Sequence, residues 1–151
     1  MADYIIRVDS ATKPTRGSTW KSKSGKSVAA WTIHLNGHLI GAGIMYYNYN
    51  GPNKTVYEGI LAALSQLESE HFYAGGTDNV EILVDCAPVL NQLNGTPALR
   101  MEKHRNRIQK FMKEHPNVKF KFLYENERVV GYKKVDQLSK VGREWIQKML
   151  R

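Results

Sequence analysis

The alternation of apolar and polar positions divides the chain into short strands and amphipathic helices. Residues 4–9, YIIRVD, are a short apolar run that ends on an acid, Asp9. VAAWTIHL at 28–35 alternates as a strand, Asn36-Gly37 is a two-residue hairpin signal, and HLIGAGIMYY returns as a third strand. From about Thr55 the period lengthens to that of a helix. Val56, Ile60, Ala63, Leu64 and Leu67 share one face, with Asn53 or Thr55 as the N-cap. AGGTDN stops that helix, and VEILVDC at 80–86 is a fourth strand that again delivers an acid, Asp85. PVLNQLNG predicts a short helix ended by Asn94-Gly95. Residues 98–115 predict a longer one with Met101, Ile108, Phe111 and Met112 inward, closed by Pro116. VKFKFLY places Val118, Phe120, Phe122 and Tyr124 on one face of a fifth strand, and a last helix from about Lys134 buries Val135, Leu138, Val141, Trp145 and Met149.

The predicted order is β-β-β-α-β-α-α-β-α. A hairpin meander followed by βαβ crossovers implies a single α/β domain over residues 1–151, a five-stranded mixed sheet with helices on both faces. Residues 10–27 read as a long polar loop carrying Lys13, Arg16, Lys21, Lys23 and Lys26 and no acid. Ligands of such sheets collect at the carboxyl ends of the parallel strands, near the point where the strand order switches.

Composition narrows the class. At 151 residues, 42% hydrophobic and 24% charged, the chain suits a globular domain with its own core. No apolar run approaches the roughly 18–20 residues that cross a membrane. The N-terminal MADYIIRVDS reads as neither a signal peptide nor an anchor, so an intracellular, cytoplasmic protein is expected, and a monomer is expected with it. One cysteine excludes an internal disulfide and a cysteine-only metal site, and suits a reducing compartment. Cys86 itself reads as a small buried hydrophobe. The net charge of +8 and pI near 9.6 favour a polyanionic partner.

Four carboxylates carry the chemistry. If the first and fourth strands are parallel neighbours, Asp9 and Asp85 lie side by side at one sheet edge. Glu58 is expected in the first turn of the helix over that edge, and Asp136 in the first turn of the last helix. Each has an ordinary explanation alone: Asp9 ends a strand, Asp85 caps a helix, and the other two complement helix dipoles. Those explanations do not account for all four meeting at one corner. Carboxylates that close hold protons unless cations lie between them. Mg²⁺ suits an all-oxygen site, and two such ions about 3.5–4 Å apart support in-line phosphodiester displacement.

YIIRVDS, the NG hairpin, TVYEGILAAL, VEILVDCAPVLNQLNG and VDQLSKVG, in this order and spacing, resemble the type 1 ribonuclease H family of the retroviral-integrase-like superfamily. The resemblance runs from about Tyr4 to Trp145 and implies that family's five-stranded mixed sheet. It maps the family's Asp-Glu-Asp-Asp metal site onto Asp9, Glu58, Asp85 and Asp136, holding two Mg²⁺ ions, with Mn²⁺ as a substitute. The implied reaction is endonucleolytic hydrolysis of the RNA strand in RNA–DNA hybrids, leaving 5′-phosphate and 3′-hydroxyl ends. Asp9 and Asp85 would share the two metals, Glu58 would hold the metal near the scissile phosphate, and Asp136 the one that activates water. Expected hybrid contacts fall on Lys13, Arg16, Lys21 and Asn53, on Trp20, which either stacks on a sugar or base or packs under its loop, and on Arg100, Lys103, Arg105 and Arg107 of a basic segment that is either a solvated face or, by the resemblance, similar to the handle of some members.

Departures from the family pattern are equally legible. DGS around the first acid becomes DSA, the Asn-rich lead into the glutamate helix shrinks to NYNGPNK, and Ser-Gln after the third acid becomes Cys86-Ala87. No histidine precedes the last aspartate in ENERVVGYKKV, which lowers the expected turnover; Glu125 or Glu127 is a possible partial substitute. GSTWKSKSGKS ends like a phosphate-binding loop, but Trp20 stands where the first glycine must be, and a strand follows rather than a helix. The histidines at 34, 38, 71, 104 and 115 show no ligand spacing, with His34 and His38 expected to flank an exposed hairpin. Two other readings stay open: a non-catalytic nucleic-acid-binding module on the same fold, and a resolvase- or integrase-type DNA nuclease using the same acids.

Overall fold

The computed structural model describes residues 3–14, 25–48, 51–70, 78–96 and 100–122. Their order is β1 (Asp3–Pro14), β2 (Gly25–Leu35), β3 (His38–Asn48), α1 (Pro52–Glu70), β4 (Asn79–Val84), α2 (Ala87–Leu93), α3 (Glu102–Glu114) and β5 (Val118–Phe122). The five strands form one mixed sheet in the order β3-β2-β1-β4-β5. β1 is its centre, antiparallel to β2 and parallel to β4, and β5 continues the parallel half.

Local chemistry accounts for the elements. Asn36 and Gly37 both take positive φ, 49° and 85°, which the tight turn between paired Leu35 and His38 requires. Tyr4, Ile6 and Val8 alternate onto one face of β1, where α1 lays down Val56, Tyr57, Ile60, Ala63, Leu64 and Leu67, all buried. Val89, Leu90 and Leu93 of α2 and Ile108 of α3 join the same core, so the three described helices share one face. The opposite face is also buried at its centre: Val28, Ala30, Thr32 and Leu83 are each at most 4% exposed. The expected last helix, with Asp136, lies outside the described residues.

Three expectations change. Residues 10–14 and 25–27 are not loop, because β1 and β2 continue as a ribbon through Ser10↔Ala29 to Pro14↔Gly25. Backbone pairing needs no apolar side chain, so a polar sequence conceals it. α1 begins at Pro52 rather than near Thr55: proline is preset for a first helical position, and Thr55 Oγ1 donates to the Gly51 carbonyl at 2.6 Å from inside the helix. His34 flanks the exposed Asn36-Gly37 turn as expected, but is itself buried. It is 7% exposed, whereas His38 is exposed.

Burial, reinforced by the nearby Arg7 cation, lowers the His34 pKa, and its Nδ1 is buried without a hydrogen-bond partner. The folded state therefore binds this proton less readily than the unfolded chain. Stability from this group is full above the ordinary histidine range and is lost as pH falls through it. Urea midpoints should drop more between pH 7.5 and 5.5 for the wild type than for His34→Leu. Equal drops would remove His34 as the cause.

Candidate functional site

The register of the central strands builds the site. Val8 of β1 pairs with Val84 of β4 in parallel, so the next residues along, Asp9 and Asp85, leave that pairing side by side. β1 does not stop at Asp9 as expected. It runs on to Pro14 beside β2 alone, so Asp9 marks where the parallel pairing ends and not where the strand does. The Asp9 carboxylate accepts the Ser10 backbone N–H at 2.8 Å. Asp85 is exposed, and the N-cap of α2 is Cys86, one residue further on, with Pro in the first helical positions. The cap position is therefore Cys86 and not Asp85.

Glu58 reaches the same corner through close packing. A Cβ on its neighbour Gly59 would stand 3.0 Å from Val8 Cγ1 and 3.1 Å from Ala29 Cβ, so glycine lets α1 approach β1 and β2 closely where a side chain would push its neighbours back by a few tenths of an ångström. That approach seats α1, one residue past Glu58, on the strand residue preceding Asp9. Because α1 starts at Pro52, Glu58 falls in its second turn and not its first. A helix dipole acts within about one turn of the terminus and does not explain an acid there.

Three helices interlock at this corner. Cys86 Sγ donates to Asn53 Oδ1 at 3.5 Å, tying the start of α2 to the first turn of α1. Burial raises the Cys86 thiol pKa, which disfavours the nucleophilic thiolate and agrees with a packing role. The Tyr57 hydroxyl donates to Gln92 Oε1 of α2 at 2.7 Å. Burial raises the Tyr57 pKa against an opposing pull from the Arg105 cation. Tyr47, near the end of β3, is also raised, first by burial and then by the Glu58 charge. On α3, His104 Nε2 lies 2.9 Å from Glu58 Oε1.

Sequence reading missed Tyr47 and His104 as neighbours of the acids. For His104 a signal existed: it stands four residues before buried Ile108 and seven before half-buried Phe111, on the inward stripe of α3. Asp9 and Asp85 follow the last β1–β4 pair side by side, Glu58 precedes the Gly59 that packs on Val8, and Asp136 lies outside the described residues. Among the described residues, no group of three acidic, histidine or cysteine side chains closes to metal-holding geometry.

The expected nucleic-acid contacts divide. Arg16, Trp20 and Lys21 lie outside the described residues; Lys13 is in β1, but its side chain is likewise outside them. Arg100, Lys103 and Arg107 are exposed. Lys103, Arg107 and Lys110 recur at helical spacing along one exposed flank of α3. Arg105 departs from that flank, half-buried and close enough to Tyr57 to influence its ionisation. Asn53, half-buried, is engaged by Cys86.

A five-stranded mixed sheet with a meander, a parallel half and acids at its switch point defines a ribonuclease-H-like α/β fold. The chain has the fold of the type 1 ribonucleases H. LC11-RNase H1, isolated from compost by a metagenomic approach, superposes with a TM-score of 0.76 at 18% identity, over 97% of this chain and 99% of that one. Ribonuclease H1 of Halobacterium salinarum NRC-1 gives 0.70 at 18% identity, over 94% and 98%. LC11-RNase H1 in complex with an RNA/DNA hybrid gives 0.68 at 18% identity, over 89% and 94%. No protein-family model matches the sequence, and no curated protein does. No described helix is long and apolar enough to cross a membrane.

Proposed function

We propose that the protein is a ribonuclease H that hydrolyses the RNA strand of RNA–DNA hybrids. The observation that carries this is the parallel β1–β4 register, which sets Asp9 beside Asp85 under the helix bearing Glu58. The fold is shared with an enzyme solved on an RNA/DNA hybrid, which supports the same substrate here.

The donor set suits hard divalent cations. Its groups are carboxylates, Asp85 is exposed, and Asp9 and Glu58 are partly so. Asp9, Glu58, Asp85 and Asp136 would hold two Mg²⁺ or Mn²⁺ ions. Bound there, the ions would polarise the scissile phosphate and lower the pKa of the attacking water. The residues themselves orient the site: Asp9 is pinned by the Ser10 amide, and Glu58 is held by a helix that Gly59 seats against Val8. The Lys103, Arg107 and Lys110 flank would bind phosphates without reading sequence. Preference for a hybrid would come from A-form shape and the 2′-hydroxyls of one strand.

The test is a labelled RNA–DNA hybrid incubated with the protein in Mg²⁺ and in Mn²⁺, beside single-stranded RNA, double-stranded RNA and duplex DNA. RNA cleavage in the hybrid alone is expected. Cleavage of duplex or branched DNA would move the reading to a resolvase-type nuclease. Tight hybrid binding with no cleavage would leave a binding module.

A further inference from the structure

We propose that His104 is a positioning residue for Glu58, holding one carboxylate oxygen so that the other is presented to a divalent cation. The proposal rests on the ribonuclease H reading of the four acids. Its first support is a contact between helices far apart in sequence: His104 Nε2 of α3 stands 2.9 Å from Glu58 Oε1 of α1. Both side chains are largely shielded, at 19% and 28% exposure. An ionised carboxylate only accepts hydrogen bonds, so Nε2–H is the donor and a neutral imidazole suffices.

What fixes the imidazole is packing that does not involve the acids. His104 lies on the inward stripe of α3, one turn before Ile108, which is fully buried. The Tyr57 ring sits with its centroid 6.0 Å from that of His104, and Tyr57 is itself tied to Gln92. The ring is therefore in place before any ligand arrives. Glutamate has three rotatable side-chain bonds, and holding Oε1 removes much of that freedom in advance. Hydrogen-bonded partners of metal-binding carboxylates act in this way, and their loss weakens metal affinity by about 10–100-fold. Position 104 belongs to an otherwise apolar stripe where leucine would pack. A side chain with a donor at that place is what Glu58 requires.

The experiment compares the full chain with His104→Leu, which keeps volume and removes the donor, and His104→Gln, which keeps a donor. Mn²⁺ affinity is measured by calorimetry and by electron paramagnetic resonance, and unfolding midpoints are taken without metal. Cleavage of the hybrid is followed against Mg²⁺ concentration. The Leu variant should unfold at the wild-type midpoint yet bind Mn²⁺ about tenfold more weakly, with a matching rise in the Mg²⁺ needed for half-maximal cleavage. The Gln variant should recover most of that loss. In a Glu58→Gln background, His104→Leu should weaken Mn²⁺ binding no further, because the coupled partner is gone.

Wild-type Mn²⁺ affinity in the Leu variant, or a Gln variant no better than Leu, would overturn the proposal and leave His104 a packing residue. A wild type that binds Mn²⁺ but leaves the hybrid uncut would sink the nuclease reading alone, since the affinity comparison still decides the role of His104. A wild type that binds no Mn²⁺ overturns both.

Discussion

Asp85→Asn is expected to suppress hybrid cleavage in Mg²⁺ by about a thousandfold or more, because it removes a full charge from the oxygen cluster that would hold the cations. The side chain is exposed, lies just beyond the last β1–β4 pair and precedes the N-cap of α2, so the near-isosteric substitution changes charge without disturbing the core. Hybrid binding should persist or tighten, since one negative charge facing a polyanion is lost. Gel-shift and cleavage assays on the same preparation separate the two effects. Lost binding in a folded variant would contradict the assignment, because Asp85 would then be a substrate contact and not a metal ligand. Retained cleavage would remove it from the site.

Gly43→Ala is expected to be the most destabilising single methyl added to this sheet. Gly43 pairs across from Trp31, and a Cβ there would collide with the indole atoms Cζ2, Cε2 and Cη2. The ring cannot easily yield. It is 5% exposed, rigid, and held to α1 by its Nε1–H, which donates to Gln66 Oε1 at 2.7 Å. Displacing it breaks that bond and opens the core where α1 meets β2. Overpacking of this kind costs about 3 kcal/mol, which for a chain of this size lowers the thermal midpoint by roughly 10 °C. Circular dichroism melting of the two proteins measures it. A variant within about 0.5 kcal/mol of wild type would show that the indole can rotate into free space.

Much was legible in advance where a side-chain period and a burial requirement coincide. The stripe Val56, Ile60, Ala63, Leu64 and Leu67 predicts the buried face of α1, and every member is buried. Asn36-Gly37 predicts the hairpin because few dipeptides take two positive φ angles. The parallel neighbourhood of β1 and β4, posed as a condition from the order of elements and the rules for crossovers, is met, and Asp9 and Asp85 follow its last pair side by side. The ribbon from Ser10 to Pro14 was not legible, since its stability lies in backbone hydrogen bonds that carry no hydrophobic signature. The burial of His34 was not legible, because its place beside the hairpin turn follows from the strand pattern while the cover over that face is not encoded in the strand itself.

By itself, then, the sequence determined a basic α/β domain, the identity and order of its described elements, and that Asp85 follows directly on a strand. These are local properties, set by periodicity, turn chemistry and composition. Only the tertiary structure decided that Glu58 sits in a second helical turn, that Gly59 seats the helix against Val8, and that His104 of α3 reaches the Glu58 carboxylate. Those depend on how three helices settle on one sheet face to within fractions of an ångström. Close packing sets distances of that size, and no local pattern records them.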